Sequence, residues 1–187
     1  MSVGKLFIIS GASGVGKSTV LKQVMDRRKD LTFSVSATTR PPRPGEKEAE
    51  SYYFVDRDKF AHMIENDEFL EYDDHAGNFY GTPKSQLEEK LTRSNVILDI
   101  EPVGAFNVRS KRPDATLIFI VPPSQEELES RLRGRGDTSE EQMAMRLERA
   151  VWEMEQKDAY DYVVVHDRVD SCVDAILNII AKLADEE

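Results

Sequence analysis

The sequence predicts an α/β fold with a mainly parallel sheet flanked by helices. Three observations predict it. Short apolar runs recur along the chain, of the kind that strands buried on both faces require. Stretches with helical spacing of apolar residues separate those runs, and strands alternating with helices make a parallel sheet. A glycine-rich turn joins the first run directly to the first helical stretch.

Taken in order, Leu6-Phe7-Ile8-Ile9 is the first expected strand. After the turn, a helix is expected from about Lys17 to Arg28, with Val20, Leu21, Val24 and Met25 at helical spacing. Between residues about 33 and 92 the texture changes. Ser34-Val35-Ser36 and Tyr52-Tyr53-Phe54-Val55 read as alternating or exposed strands flanking a Pro- and Glu-rich loop from Pro41 to Glu50. This stretch is expected to be a small, partly antiparallel insertion on the core. Val96–Ile100, Thr116–Val121 and Tyr162–Val165 are further buried strands. Ser124-Gln125-Glu126-Glu127 and Ser139-Glu140-Glu141-Gln142 each have the capping-box pattern of a helix start. The last helix, roughly Val169 to Leu183, carries Val173, Ile176, Leu177, Ile180 and Leu183 on one face. Trp152, Met143, Met145 and Met154 are expected to pack the helix before it.

Bulk properties narrow the class. A chain of 187 residues with 40% hydrophobic content can bury one core of ordinary domain size. No stretch approaches the roughly 20 apolar residues of a membrane span, and the N-terminus has no signal-peptide pattern. The single cysteine, Cys172, cannot form an internal disulfide, which fits a reducing cytoplasm. A net charge of -10 argues against nucleic-acid backbones as partners. The arginines are nonetheless grouped, Arg40 with Arg43, then Arg131, Arg133 and Arg135, then Arg146 and Arg149. That grouping suits defined phosphate pockets, or else a solvated charged face.

Gly11-Ala12-Ser13-Gly14-Val15-Gly16-Lys17-Ser18 fits G-x-x-x-x-G-K-[ST], the P-loop, in the strand–turn–helix context the motif requires. Its glycines let successive N–H groups turn inward, and the helix N-terminus adds a positive dipole end. Residues 11–19, through Thr19, are therefore expected to bind ATP, with Lys17 on the β- and γ-phosphates and Ser18 on Mg²⁺. Asp99, ending an apolar strand, is where such proteins place the acid that holds Mg²⁺ through water.

A P-loop alone does not separate GTPase, ATPase and kinase, and the downstream motifs do. Ser36-Ala37-Thr38-Thr39-Arg40-Pro41-Pro42-Arg43-Pro44-Gly45-Glu46 matches the S-x-T-T-R-x-x-R-x-G-E signature of guanylate kinases. Gly77-Asn78-Phe79-Tyr80-Gly81-Thr82 matches their G-N-x-Y-G-[ST], and Leu132-Arg133-Gly134-Arg135-Gly136 the start of their lid. The chain resembles that family from residue 5 to about 165. The resemblance implies a P-loop NTPase core (about 1–32, 93–124 and 147–187), a GMP-binding region (about 33–92) and a helical lid (about 125–146). It implies transfer of the γ-phosphoryl group of ATP to GMP with Mg²⁺ as the only cofactor.

The residue roles implied are chemically sensible. Arg40, Arg43, Tyr52 and Tyr80 suit the dianionic GMP phosphate. By family position Glu71 accepts from guanine N1–H and the 2-amino group, and the Ser36 and Thr82 hydroxyls donate to O6. Thr82, preceding Pro83, is also a natural helix N-cap. Glu101 stands where the family has Asp near the substrate. Lys17, Arg40, Arg135 and Arg146 are the implied catalytic residues, the last two closing over the transferring group. Arg131, Arg133 and Arg149 read as helix-surface residues. Besides Glu101, four positions depart from the family pattern: Ala49 for the usual Gly, Ser51 before Tyr52, Val103 for Gln or Glu, and His166 for Asn near the adenine site. Two rivals are a guanylate-kinase-like protein-binding module and a kinase for another small acceptor. The intact P-loop and lid arginines oppose the first, and Glu71 with Ser36 and Thr82 opposes the second.

Overall fold

The computed structural model describes residues 4–75, 77–134 and 140–184. In chain order the elements are β1 (Leu6–Gly11), α1 (Lys17–Arg27), β2 (Leu31–Phe33), β3 (Ala37–Thr38), β4 (Tyr53–Phe54) and α2 (Arg57–Glu65). There follow β5 (Phe69–His75), β6 (Asn78–Pro83), α3 (Lys84–Leu91), β7 (Asn95–Asp99), α4 (Pro102–Lys111) and β8 (Thr116–Val121). The chain ends with α5 (Gln125–Arg133), α6 (Glu140–Glu155), a 3-10 turn, β9 (Tyr162–Val165) and α7 (Val169–Ala184). Two compact units emerge. One is residues 7–29, 100–102 and 116 onward; the other is residues up to Leu6, 30–99 and 103–115.

In the first unit β1 pairs with β8 and β8 with β9, all parallel. Every residue of β1 is buried, as is all of β8 after Thr116, which explains why these strands read as unbroken apolar runs. Helix α7 packs on α1, and Arg27 of α1 donates to Asp174 at 2.9 Å and to Asp170. Ser124 caps α5 as its sequence promised, its hydroxyl accepting the Glu127 N–H at 3.1 Å. Ser139, the other expected cap, lies outside the described residues. A second apolar cluster joins Ala12 of the glycine turn to Leu128 and Leu132 of α5 and Met143 and Ala150 of α6, with Met154 against it. Met145 and Trp152, expected to pack there, face solvent instead at 65% and 40% exposure, because α6 turns them away from that cluster.

In the second unit β2 pairs in parallel with β7. Val96 of β7 also donates to Lys5 O, just before β1, at 2.9 Å. A four-stranded sheet runs β4-β3-β6-β5, with β3–β4 parallel and β3–β6 and β5–β6 antiparallel. Its core is aromatic: Phe60 of α2 stacks on Phe69 at 4.5 Å and on Phe79 at 5.5 Å. Two sequence expectations need correcting here. Ser34-Val35-Ser36 is not a strand, since the chain changes partners within it. Ser34 N–H still reaches Ile97 O at 2.8 Å, but Ser36 O already accepts from Tyr53 N–H at 2.9 Å. For the same reason only Tyr53–Phe54 of the Tyr52–Val55 stretch is strand.

Candidate active site

The phosphate loop is shaped by two glycines in the left-handed region, Gly14 at φ 84° and Gly16 at φ 93°. A side chain at either would also displace a neighbour. A Cβ on Gly14 would stand 2.5 Å from Leu132 Cδ2, and one on Gly16 would stand 2.9 Å from His166 Cε1. The loop backbone is bonded from within and from outside. Val15 N–H donates to Ala12 O at 3.0 Å, and Ser13 N–H donates to Glu153 Oε2 of α6 at 2.7 Å. Val15 O accepts from His166 Nδ1 at 2.7 Å and from Arg131 Nη1 at 3.1 Å. A carbonyl can only accept, so the proton of a neutral His166 sits on Nδ1. Lys17 and Ser18 then open α1, and the Thr19 and Val20 N–H groups donate back to Gly16 O at 3.2 and 3.4 Å.

Glu153 is fully buried, at 0% exposure. Its other oxygen accepts from Arg149 Nε at 2.9 Å. Burial, with Glu101 against it, pushes its carboxyl up to about 7 despite the Ser13 and Arg149 hydrogen bonds. Arg131, expected on the helix surface, reaches the loop at Val15 O, while Arg149 bonds Glu153 one turn along its own helix. His166, which stands where the family has Asn, is buried too, and its ring bonds the loop backbone.

The second unit assembles a different set. Arg40 follows β3, and its side chain is 10% exposed. Its Nη2 donates to Glu46 Oε1 at 2.8 Å and its Nη1 to Pro41 O at 2.7 Å, while Glu46 Oε2 accepts the Arg43 N–H at 2.7 Å. The hydrogen bond it donates to Glu46 holds the Arg40 guanidinium above its ordinary pKa, with burial opposing and a Tyr80 bond assisting. The same guanidinium lies 5.4 Å over the Tyr52 ring, and Tyr52 meets Tyr80 edge-on at 6.0 Å. Burial, then the charge of Asp99, raises the Tyr52 phenol. The Arg43 side chain is exposed, and Asp99 is half-buried at the end of β7.

Glu71 and Thr82 face each other across the β5–β6 pair. Thr82 Oγ1 donates to Glu71 Oε1 at 2.6 Å, and both residues are buried, Glu71 at 5% exposure. Burial, opposed by the Thr82 bond, pushes the Glu71 carboxyl up to about 7. The expectation that Thr82 caps the following helix is corrected: it belongs to β6, and Pro83 precedes α3 with no side-chain cap. Ser36 is half-buried beside β3.

Among the other expected residues, Arg146 is exposed on α6, Glu101 is half-buried beside Glu153, and Arg135 lies outside the described residues. The departures are informative. Ala49 sits at φ 62°, a left-handed conformation that a glycine adopts without strain. Sequence reasoning missed Glu153, Arg131 and His166 as neighbours of the loop. One signal was there for Glu153, a carboxylate three residues after Ala150 on the apolar stripe of α6.

A family model described as guanylate kinase matches residues 3–183. A guanylate kinase of Nostoc sp. is 49% identical over 174 residues, 92% of this chain and 87% of that one. One from Thermus thermophilus is 47% identical over 178 residues, 95% of this chain and 80% of its own length. The crystal structure of guanylate kinase from Anaplasma phagocytophilum superposes with a TM-score of 0.81 at 35% identity, over 100% of this chain and 89% of that one.

Proposed function

The chain belongs to the guanylate kinase family, and we propose that it transfers the γ-phosphoryl group of ATP to GMP, giving ADP and GDP, with the residues named above in distinct roles. The observation that carries the acceptor assignment is the buried Glu71 carboxylate, oriented by the Thr82 hydroxyl at 2.6 Å. Guanine offers adjacent N1–H and 2-amino donors to one carboxylate. Adenine has no N1–H and would leave that buried group unpaired, at about 1–3 kcal/mol. Ser36 donates to guanine O6, and the Thr82 hydroxyl, already committed to Glu71, keeps the carboxylate aimed at the base.

Arg40, Arg43, Tyr52 and Tyr80 take the GMP phosphate, and Glu101 contributes to the acceptor's surroundings. Arg40 is held by Glu46 in the meantime, so the phosphate replaces one carboxylate partner by another anion. The loop from Gly11 to Thr19 takes the ATP phosphates through its N–H groups, and Lys17 neutralises the β- and γ-phosphate oxygens. A phosphate oxygen of GMP attacks the γ-phosphorus in line. The bond from that phosphorus to the bridging oxygen breaks, and ADP leaves with the bridging oxygen and its electron pair. Arg135 and Arg146 face the charge that spreads over the equatorial oxygens. No protein nucleophile is involved, so positioning and electrostatics supply the acceleration.

Each unit carries one donor of the type that Mg²⁺ takes. Ser18 offers a hydroxyl on the first turn of α1, and Asp99 offers a carboxylate at a strand end, hard oxygen donors of the kind Mg²⁺ takes alongside substrate phosphates. When bound, the ion neutralises phosphate charge. ATP and GMP are the only partners proposed. Among the described residues no helix is long and apolar enough to cross a membrane, and we place the activity in the cytoplasm.

The test is ADP release with Mg-ATP and each of GMP, AMP, CMP and UMP. Turnover confined to GMP is the expected result. Equal turnover with AMP would remove Glu71 from base reading, and none with any acceptor would favour a protein-binding role.

A further inference from the structure

Helix α6 buries one carboxylate completely, and the transfer step as described has no use for it. Glu153 lies on the helix face that carries Met143 and Ala150 into the cluster with Ala12 of the phosphate loop. An apolar residue would fill such a position at lower cost, because a buried charge must recover its lost hydration through good partners. Both oxygens of Glu153 have one: Oε2 the Ser13 N–H at 2.7 Å, Oε1 the Arg149 Nε at 2.9 Å. The first distance is at the short end for a charge-assisted bond.

We infer that Glu153 is a positioning residue for the phosphate loop, fixing the Ala12–Ser13 peptide so that the loop is already shaped for the ATP phosphates before they arrive. The bond divides the loop's donors. The Ser13 N–H is committed to Glu153 and the Val15 N–H to Ala12 O, and the Thr19 and Val20 N–H groups turn back to Gly16 O. An anion under an anion-binding loop would be a liability if it faced the ligand. Here it is buried at 0% exposure with Glu101 against it and Arg149 Nε donating to one oxygen, so in either protonation state it offers Ser13 an acceptor. The opposite side of the same stretch is held at Val15 O by His166 and Arg131. The loop is thus gripped two residues apart, by an acceptor at Ser13 and by donors at Val15. A loop held this way loses less freedom on binding, and that is the source of affinity in preorganised sites.

The inference rests on the loop binding ATP, and the experiment separates the two. In the full-length chain, E153M keeps the volume and helix preference of the side chain but removes the acceptor. E153Q keeps an acceptor oxygen. With E153M, KM for ATP should rise by about tenfold or more with KM for GMP within twofold, and E153Q should stay within about threefold of wild type for both. Parallel losses for both substrates that track a fall in Tm would show a merely structural residue and overturn the inference, as would equal ATP defects in E153M and E153Q. Amide hydrogen exchange on the unliganded wild type needs neither a folded variant nor turnover. Strong protection at Ser13 is expected, and exchange at the rate of an open loop would overturn the inference. Should the chain show no GMP kinase activity at all, ADP affinity of the two variants by calorimetry reads the same contrast.

Discussion

The two halves of the machinery are built on opposite principles. The phosphate loop is contiguous, from Gly11 to Ser18, and presents backbone. The acceptor half gathers side chains from separate elements: Arg40 after β3, Glu71 on β5, Tyr80 and Thr82 on β6. In the loop the side chains nearby, Glu153, His166 and Arg131, serve to hold peptides in place. In the acceptor half the backbone holds side chains, and the β5–β6 register sets Glu71 opposite Thr82. Backbone recognises any triphosphate, whereas a side-chain carboxylate can tell one base from another. On the proposed assignment, general affinity and specific choice fall to different halves.

The largest effect is expected at Lys17, the loop side chain assigned to the ATP phosphates. K17A should cut kcat by about 10²–10³-fold and leave GMP affinity within twofold by calorimetry. A comparable loss of GMP binding would mean the halves are not separable.

Next in size is E71Q. Loss of the anionic acceptor should raise KM for GMP by about 10- to 100-fold, since hydrogen bonds to charged groups are worth roughly 1.5–3 kcal/mol, with KM for ATP unchanged. The same change should stabilise the unliganded protein. The Glu71 carboxyl is raised to about 7 from 4.5, so its burial costs nothing below pH 4.5, where it is protonated folded or unfolded. The cost grows as pH rises through that window to at most about 3 kcal/mol. Denaturation at pH 8 should therefore favour E71Q, and at pH 4 the two proteins should match.

Removing the oriented partner is milder. T82V should weaken GMP by about 5- to 10-fold, the worth of one hydrogen bond, and move the pH dependence of GMP binding upward, because the Thr82 bond lowers the Glu71 pKa. In the wild type, GMP affinity should fall as pH drops below about 7 and this carboxylate takes up its proton. The GMP phosphate itself gains a proton near pH 6, so the ratio of wild type to E71Q isolates Glu71.

The smallest effect is expected at Ala49. A non-glycine residue at φ 62° carries backbone strain of about 1 kcal/mol, partly offset by the entropy a glycine loses on folding. A49G should raise stability by up to about 0.5 kcal/mol with KM values unchanged. A drop in Tm would show that this loop gains nothing from glycine.

What could be read in advance follows the same division. Gly11-Ala12-Ser13-Gly14-Val15-Gly16-Lys17-Ser18 declares its shape in eight consecutive letters, because glycine spacing and a strand–helix junction are local constraints. The buried strands at Leu6–Ile9 and Thr116–Val121 are equally local, a run of apolar residues with one physical outcome. The β5–β6 hairpin was harder to see, since Glu71, Asp73 and Asp74 mask its period among acidic residues. Glu71 entered the site by resemblance, and nothing near it in sequence says that its carboxylate is buried.

The parallel α/β class, the phosphate loop and the family were all legible in the chain's letters, because each rests on short-range pattern. Which polar groups share a proton or a peptide came from the folded arrangement alone: Thr82 with Glu71, His166 with Val15, and Glu153 with Ser13. The last two pairs are separated by 151 and 140 residues. A hydrogen bond depends on distance and direction to within tenths of an ångström, and no local pattern carries that information across such a separation.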